Sequence, residues 1–457
     1  MKREDAILVI HSGRIIDPSQ GIDRIGHIVI SGGRILQLED GIIRRSPDGF
    51  VHRAQSLDAT GMVVCPGFVD LHCHLREPGF EHKETIRTGT EAAARGGFTT
   101  VCCMGNTEPP LDTPAMVEWV QAKASTEALV TVLPIGCVTK GRRGHELADM
   151  AGLAAAGAVA FSDDGDPVAD RQLMRDAMMR SHSLGSILID HCEDKTLSKC
   201  GVMNDGRLAT EFGLRGIPPA AEEVMVARDL TLAKLTGARV HIAHVSTRGS
   251  VGLIRRAREE GVPVTAEVTP HHLTLTEDDI RRVENGTLLD SDARVNPPLR
   301  TEADIEALTG GLRDGVIDAI ATDHAPHSAA DKECSFELAS PGISGFETAY
   351  GCLMSLVHHG EMSLGLLISR LTSDPARVIG RDGKLGTLKV GAPANIVILD
   401  TEREWMVDSR RFASRGRNTP YEGHKLKGKV MATIADGKLV YKDEAMPSRG
   451  PYRQEDR

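Results

Sequence analysis

The chain has 457 residues, a formal net charge of −10 and 3% aromatic residues. It is long enough for one barrel of about 250 residues and a smaller unit. It has no basic run that could follow a phosphate backbone and no stretch near ~20 uninterrupted apolar residues, which argues against nucleic-acid binding and a membrane span. Nine scattered cysteines without a C-x-x-C pair indicate reduced thiols. Because no signal-peptide core follows Met1–Asp5, we expect a cytoplasmic protein.

Both ends of the chain carry short strand patterns separated by turn signals. These patterns cover residues 6–10, 27–30, 33–38, 394–399, 429–434 and 438–441. Neither end alone has enough strands to cover a core. We therefore predict one small β-sandwich domain formed by residues 1–64 and 386–457, with residues 65–385 forming a second domain.

Between the two ends, strand-like runs alternate with helical patterns, as in successive βα units. Eight strands are predicted, at residues 67–74, 99–104, 129–135, 158–164, 187–191, 240–245, 262–269 and 317–323. Helical patterns lie between some of them, at residues 84–95, 170–184, 220–235 and 250–260. This alternation predicts an α/β fold, a TIM-like (β/α)8 barrel.

The first predicted barrel strand carries Asp70, His72 and His74 on one face, because side chains alternate in direction along a strand. Pro78-Gly79 follows shortly after, so the two histidines lie at the C-terminal end of the strand, where TIM barrels build their active sites. Two imidazoles at this spacing can bind one divalent metal. Two ordinary buried histidines would fit the same pattern if they were hydrogen-bonded.

Other metal-capable side chains follow the fourth, fifth, sixth and eighth strands: Asp164, His191, His244 and Asp323. Each alone has an ordinary explanation, since Asp164 could belong to a turn and His244 could be a core histidine. Because five strand ends of one barrel converge on one rim, we predict a metal site there. Histidine and carboxylate ligands suit zinc or a similar cation in an open catalytic site. Cys192 could be a further ligand or a buried small residue, and we favour the buried residue.

Several segments resemble the bacterial dihydroorotase family of the amidohydrolase superfamily. They include HCHLREPG, FSDDGDPV, DHCED, HIAHVST, ARVNPPLR and DHAPH, and the resemblance covers nearly the whole chain. It implies an enzyme with one or two Zn²⁺ per chain that interconverts N-carbamoyl-L-aspartate and L-dihydroorotate in de novo pyrimidine biosynthesis.

The resemblance also implies a role for individual residues. It implies metal ligands at His72, His74, Asp164, His191, His244 and Asp323. Asp164 would bridge two metals, and Asp323 would act as general base and then as general acid. It implies a pocket for the substrate carboxylate formed by Arg76, Asn106, Asn296 and His327.

Two positions depart from the family pattern. Gly105 replaces the usual proline, and Glu108 adds a negative charge near the expected anion pocket. Either change could lower the affinity for substrate, and neither removes the chemistry. The loop at residues 335–345 could be a lid over the site or an ordinary surface loop.

Two other functions compete with this interpretation. The sister cyclic amidases, allantoinase and dihydropyrimidinase, typically bridge two metals with a modified lysine on strand four, and the run Phe161–Asp164 has no lysine. A non-catalytic dihydroorotase-like scaffold for aspartate transcarbamoylase would be expected to have lost ligands, yet all six positions are intact. The sequence leaves open both a homodimer and an association with aspartate transcarbamoylase.

Overall fold

The computed structural model describes residues 7–40, 55–283 and 287–446. Residues 1–6, 41–54 and 447–457 of the predicted terminal domain lie outside the described residues. The strands are β1 (Leu8–Asp17), β2 (Ile22–Ser31), β3 (Arg34–Asp40), β4 (Gln55–Asp58), β5 (Val63–Pro66), β6 (Phe68–Cys73), β7 (Phe98–Cys103), β8 (Thr131–Pro134), β9 (Leu188–Asp190), β10 (Met203–Asn204), β11 (Gly216–Ile217), β12 (Val240–Ile242), β13 (Val264–Val268), β14 (Arg281–Val283), β15 (Thr287–Leu289), β16 (Ala319–Ile320), β17 (Ile396–Met406), β18 (Lys425–Ala435) and β19 (Lys438–Lys442).

The α-helices cover the barrel strands and the connections between them. They are α1 (Ile86–Arg95), α2 (Pro114–Glu127), α3 (Met150–Ala155), α4 (Arg171–Ser183), α5 (Lys195–Ser198), α6 (Arg207–Phe212), α7 (Ala220–Thr236), α8 (Arg248–Glu259), α9 (Pro270–Thr274), α10 (Glu302–Arg313), α11 (Ala329–Lys332), α12 (Phe346–His358), α13 (Leu364–Leu371) and α14 (Ser373–Val378). Within the described ranges, no helix has both the length and the apolar character that crossing a bilayer requires.

Strands from both chain ends form one eight-stranded sheet. Its order is β19-β18-β17-β5-β1-β2-β3, and β4 pairs with β1. The antiparallel pair β17 and β5 joins the C-terminal strands to the N-terminal ones. Side chains from both sets, such as Ile10, Ile28, Ile396 and Ile434, pack in one buried cluster. This confirms a β-domain shared by both termini, whose boundaries stay a prediction.

The barrel strands are parallel and follow the predicted order. β6-β7-β8 form one hydrogen-bonded group, and β9-β12-β13-β16 form another. Isolated parallel bridges join the two groups, because Phe161 pairs with both Gly136 and Leu188, and His324 pairs with Cys73. The predicted fourth strand is therefore present only as pairing around Phe161. Together these pairings connect all eight predicted strands in a circle, which confirms the (β/α)8 barrel.

Local sequence signals explain where the barrel helices begin and end. Thr85 and Thr88 form a capping box at the start of α1, and Asp170 accepts a hydrogen bond from the backbone N–H of Leu173 at the start of α4. Gly237 ends α7 in the left-handed conformation, at φ 70°, which glycine adopts without a steric penalty. These helices and α8 match the four predicted helical patterns.

The cysteines behave as the sequence predicts. All nine are free thiols, and all but Cys200 and Cys334 are buried. The burial of the other seven is typical of structural cysteines rather than reactive ones.

Asp17, at the end of β1, anchors the segment that leads into the C-terminal strands. Its fully buried carboxylate accepts hydrogen bonds from the backbone N–H groups of Leu388 at 2.7 Å and Ser19 at 2.9 Å. We predict that Asp17→Ala lowers the free energy of unfolding by about 1–3 kcal/mol, because the buried N–H of Leu388 loses its acceptor. Asp23→Ala, which removes an exposed ion pair with Arg14, should change it by less than ~1 kcal/mol. Equal losses for the two variants in chemical denaturation would contradict this assignment.

Candidate metal centre

The six predicted metal ligands all lie at the C-terminal rim of the barrel. They are buried, with none more than 7% exposed. His72 and His74 lie at the end of β6, Asp164 follows the fourth strand, His191 follows β9, His244 follows β12, and Asp323 follows β16. The barrel therefore brings together residues that are up to 251 positions apart in the sequence, from His72 to Asp323 (323 − 72).

The Asp164 carboxylate lies at the centre of this group and faces all four histidines. Its Oδ1 is 3.4 Å from His72 Nε2, 3.6 Å from His244 Nε2 and 3.7 Å from His191 Nδ1, and its Oδ2 is 3.7 Å from His74 Nε2. Zinc bonds of about 2.0–2.2 Å in a tetrahedral site place two ligand atoms roughly 3.4 Å apart. Asp164 thus has the geometry of a carboxylate that two cations can share.

Asp323 forms a second set of donors with His72 and His74. Its Oδ1 is 3.0 Å from His74 Nε2 and 3.6 Å from His72 Nε2. At this rim two trios have donor atoms that lie within 4.8 Å of one another: His72, Asp164 and His244, and His72, His74 and Asp323. The site therefore offers two adjacent positions for a cation. A third such trio among the described residues is Asp190, Cys192 and Asp229.

Buried atoms without partners indicate that this donor set fits a cation. His72 Nε2 and Asp164 Oδ1 have no hydrogen-bond partner among the described residues. A buried polar atom without a partner costs about 1–3 kcal/mol. His191 Nδ1 and His244 Nε2 also approach each other to 2.9 Å at this place. A divalent cation would accept a lone pair from each of these four atoms, three imidazole nitrogens and one carboxylate oxygen. The residues present therefore fit a metal.

Glu267 on β13 orients His72. Its Oε1 is 2.9 Å from His72 Nδ1, and its Oε2 is 3.1 Å from His241 Nε2. Burial raises the pKa of Glu267, but His241 and His72 outweigh it and lower the pKa to about 2. The ionised carboxylate therefore holds a proton on His72 Nδ1 and leaves Nε2 free for a metal, as a carboxylate behind a metal-binding histidine usually does. Glu267 was not predicted from the sequence, although a lone charged residue in an apolar strand was a usable signal.

Two further contacts fix the rings of His191 and His74. Glu193 Oε2 is 3.0 Å from His191 Nε2, so Nδ1 of that ring faces Asp164. Asn106 Oδ1 is 3.0 Å from His74 Nδ1, so Nε2 of that ring faces Asp323 and Asp164. Glu193 also went unnoticed in the sequence, although it lies two residues after His191.

The charges of the site favour a cation. Burial raises the pKa of Asp323, but the neighbouring His72 and His74 outweigh it, so the net pKa lies well below the usual range. The pKa of Asp164 is lowered in the same way, against burial, by His72 and His244. Two buried carboxylates that stay ionised in one cluster attract a divalent cation.

The four predicted substrate-binding residues lie around this centre at two places. Arg76 and His327 face each other, with Arg76 Nη2 3.3 Å from His327 Nε2. Asn106 and Asn296 instead contact the metal-ligand shell. Asn106 Nδ2 is 3.4 Å from Asp164 Oδ2, and Asn296 Nδ2 donates to Glu193 Oε2 at 2.9 Å. The predicted substrate pocket therefore adjoins the metal centre at these two asparagines.

Three other acidic or thiol side chains turn away from the four histidines. Asp70 accepts hydrogen bonds from the backbone N–H and the hydroxyl of Thr322, at 2.7 and 2.8 Å, and so supports the end of the eighth strand. Asp163 accepts from the backbone N–H of Val138 at 2.8 Å. Cys192 is buried, and its Sγ lies 3.5 Å from Asp229 on α7; whether it binds a metal stays a prediction.

The loop at residues 335–345 contacts the predicted substrate pocket. Arg294 Nη1 donates to the backbone carbonyls of Phe336 and Glu337, at 3.0 and 2.7 Å. The Pro341 carbonyl lies 3.0 Å from His327 Nε2. The loop is therefore held by Arg294 and contacts the pocket through His327; whether it moves as a lid stays a prediction.

The two departures from the family pattern have different surroundings. Gly105 is buried, and a Cβ there would lie 3.0 Å from Cys137 Sγ and from the Ile135 carbonyl oxygen, so the backbone is closely packed before Asn106. Glu108 is exposed, so solvent screens its charge. Their effect on substrate affinity stays a prediction.

Comparison with known families and relatives agrees with this geometry. The family model described as "Dihydro-orotase-like" matches residues 61–250, and the one described as "Amidohydrolase family" matches residues 234–441. A dihydroorotase from Caldanaerobacter subterraneus subsp. tengcongensis is 50% identical over 95% of this chain and 97% of its own. A dihydroorotase from Citrifermentans bemidjiense is 47% identical over 95% of this chain and 99% of its own.

Solved structures share the fold at lower identity. An L-hydantoinase (dihydropyrimidinase) from Arthrobacter aurescens has a TM-score of 0.83 and 25% identity, over 95% of this chain and 96% of its own. A dihydropyrimidinase from Brevibacillus agri has a TM-score of 0.81 and 22% identity, over 96% of each chain. At 22% identity the likeness concerns the fold.

Three features together define an amidohydrolase. They are the barrel, the β-domain formed by both chain termini, and the histidines and carboxylates at the rim of the barrel. The two dihydroorotases are 47–50% identical to this chain over almost the full length of each sequence. This identity favours the dihydroorotases over the structurally similar hydantoinases. The chain belongs to the dihydroorotase family.

Asp164 and its neighbour Asp163 allow a matched test of the metal centre. If Asp164 bridges two metals, we predict that Asp164→Ala lowers bound metal from two ions per chain to one or fewer, because the shared carboxylate is lost. Asp163→Ala should keep the metal content of the parent protein and lower the free energy of unfolding by about 1–3 kcal/mol, because the N–H of Val138 loses its acceptor. Metal analysis and chemical denaturation measure the two effects. Full metal content in Asp164→Ala would exclude a bridging role.

Proposed function

We propose that this protein interconverts N-carbamoyl-L-aspartate and L-dihydroorotate in de novo pyrimidine biosynthesis. The observation that carries the proposal is the single Asp164 carboxylate surrounded by four histidines, with Arg76 beginning the pocket two residues after His74. This arrangement suits a cyclic amide substrate that also bears a carboxylate.

We propose Zn²⁺ as the cofactor, one or two ions per chain. The residues that would hold it are His72, His74, Asp164, His191, His244 and Asp323. When bound, a divalent cation polarises the amide carbonyl and lowers the pKa of a water molecule. Histidine and carboxylate donors favour zinc among common cations, although other borderline cations use the same donors.

Asp323 is the proposed general base. Its carboxylate is ionised at neutral pH, because the neighbouring histidines lower its pKa against the effect of burial. In the hydrolytic direction it takes a proton from the attacking water and passes it to the ring nitrogen as the C–N bond breaks. In the biosynthetic direction Asp323 takes the proton from the carbamoyl nitrogen as the C–N bond forms, and it passes this proton to the oxygen that leaves the carboxyl carbon as water, whose other proton comes from solvent.

The proposed anion pocket uses Arg76, Asn106, Asn296 and His327. Burial lowers the pKa of Arg76 to about 10, so its guanidinium stays charged at neutral pH. A planar guanidinium matches a carboxylate with two parallel hydrogen bonds. The asparagines at the edge of the metal centre would hold the same end of the ring.

The competing functions have less support. The fourth strand offers Asp164 where an allantoinase or a dihydropyrimidinase would be expected to have a modified lysine. A non-catalytic scaffold would not need a complete set of oriented metal ligands. Assembly as a homodimer or with aspartate transcarbamoylase, and a cytoplasmic location, remain expectations from the sequence.

Hydrolysis assays with several cyclic substrates test the function directly. They compare the purified parent enzyme with the Arg76→Lys variant. We predict hydrolysis of dihydroorotate, with little action on dihydrouracil or allantoin. Arg76→Lys keeps a charge but loses the planar fork, so KM for dihydroorotate should rise about ten-fold or more with metal content unchanged. Faster turnover of dihydrouracil by the parent enzyme, or an unchanged KM in Arg76→Lys, would refute the carboxylate pocket.

Asp323→Asn separates proton transfer from folding. Asparagine has nearly the shape of aspartate, but its neutral amide cannot accept the proton. We predict a normally folded protein that retains at least part of its metal and loses about 10²–10⁴-fold in kcat in both directions. Circular dichroism, metal analysis and assays in both directions check this. A variant that keeps more than about a tenth of the parent kcat would show that another group is the base.

A further inference from the structure

His327, in the proposed anion pocket, lies between two cationic side chains. Its Nδ1 is 3.3 Å from Lys83 Nζ, and its Nε2 is 3.3 Å from Arg76 Nη2 and 3.0 Å from the Pro341 carbonyl oxygen. Lys83 precedes α1 in the segment EHKET, to which the sequence analysis assigned no role.

These contacts select one tautomer of His327. An ammonium group has only donors, so the nitrogen that faces Lys83 must be the bare acceptor. The Pro341 carbonyl has only lone pairs, so the nitrogen that faces it must carry the proton. Both contacts are satisfied when Nε2 is protonated and Nδ1 is bare. The opposite tautomer would place a donor against Lys83 and a lone pair against Pro341.

The same tautomer leaves two donors facing each other. Arg76 Nη2 and His327 Nε2 both carry hydrogen and lie 3.3 Å apart, so they form no hydrogen bond with each other. The Nε2 proton is donated to the Pro341 carbonyl oxygen, so an acceptor oxygen that lies against both groups would receive a hydrogen bond from Arg76 and would share the Nε2 proton with Pro341. Burial, together with Arg76 and Lys83, lowers the pKa of His327 to about 2, so the ring is neutral and binds an anion only through this N–H.

Lys83 is itself held in place. Its Nζ is 3.3 Å from Asp331 Oδ1 and 5.9 Å from the centre of the Phe80 ring. Its side chain is 17% exposed, so the contact with His327 is not freely exchanged with solvent. The charge of Lys83 therefore has a fixed position behind the imidazole.

We propose that Lys83 is a positioning residue of the anion pocket, which holds His327 as an Nε2–H donor that converges with Arg76 on the substrate carboxylate. The inference rests on the proposed function for the identity of the anion. The tautomer of His327 does not depend on that identity. Lys83 acts through His327 and is not a catalytic residue.

The test compares Lys83→Met and Lys83→Gln with Lys83→Arg, which keeps a donor-only cation. Lys384→Met, at an exposed position after α14, removes the same charge elsewhere. Steady-state kinetics with dihydroorotate measure KM and kcat. Nitrogen-15 NMR of histidine-labelled protein, with His327 assigned by subtracting the His327→Gln spectrum, measures the tautomer.

We expect His327 to be protonated at Nε2 and bare at Nδ1 in the parent protein and in Lys83→Arg. In Lys83→Met and Lys83→Gln the Nδ1–H form should become populated, because Lys83 no longer opposes a proton on Nδ1 while the donor-only Arg76 still favours a bare Nε2. KM should then rise about ten-fold or more, as for loss of a charge-assisted contact, with kcat within about three-fold. Metal content should not change in any variant. Lys384→Met should leave both readouts unchanged.

Three results would overturn the inference: an Nδ1–H tautomer in the parent protein, an unchanged tautomer in Lys83→Met, or an unchanged KM in a protein that does hydrolyse dihydroorotate. If the chain hydrolysed an uncharged ring faster than dihydroorotate, the proposed function would be wrong. The NMR comparison would still decide whether Lys83 positions His327. The two failures are therefore distinguishable.

Discussion

The central constraint on this structure is the electrostatics of one buried carboxylate. Asp164 faces four imidazole nitrogens within 3.7 Å, and one of its oxygens has no hydrogen-bond partner among the described residues. A buried, ionised carboxylate with an unpartnered oxygen is unfavourable in a protein interior unless a cation binds that oxygen. The barrel supplies the geometry, because the C-terminal ends of its parallel strands meet at one rim.

The surrounding shell decides which atoms the ligands offer. Glu267 fixes His72, Glu193 fixes His191, and Asn106 fixes His74, so each of these rings has one defined free nitrogen. The substrate side uses the same principle. The donor-only Lys83 defines the tautomer of His327, just as an acceptor-only carboxylate defines that of His72. The histidines that bind metal or anion are thus oriented by donor and acceptor contacts with the residues behind them.

How far the sequence predicts this site depends on the kind of contact. His72, His191, His244 and Asp323 are predictable because strand order alone places the ends of barrel strands on one rim. Asp164, rather than Asp163, could be chosen only by resemblance, since both follow the same strand. In the structure Asp163 turns to Val138 on the neighbouring loop.

Contacts between distant strands are harder to predict. Glu267 meets His72 across 195 residues, and no local pattern indicates which side chains face each other inside a barrel. The apolar run at residues 158–161 predicts a full fourth strand, yet pairing is confined to the neighbourhood of Phe161. Beyond that point the chain leaves the sheet, and Asp163 and Asp164 make side-chain contacts instead.

Anomalous X-ray diffraction from crystals of the purified protein, recorded at the absorption edge of its metal, tests the central claim most directly. The account predicts one or two peaks at the barrel rim, each about 2.0–2.3 Å from an oxygen of Asp164 and from at least one of the four histidines. A fully active crystal preparation with no peak beside Asp164, or with its metal bound elsewhere, would contradict it.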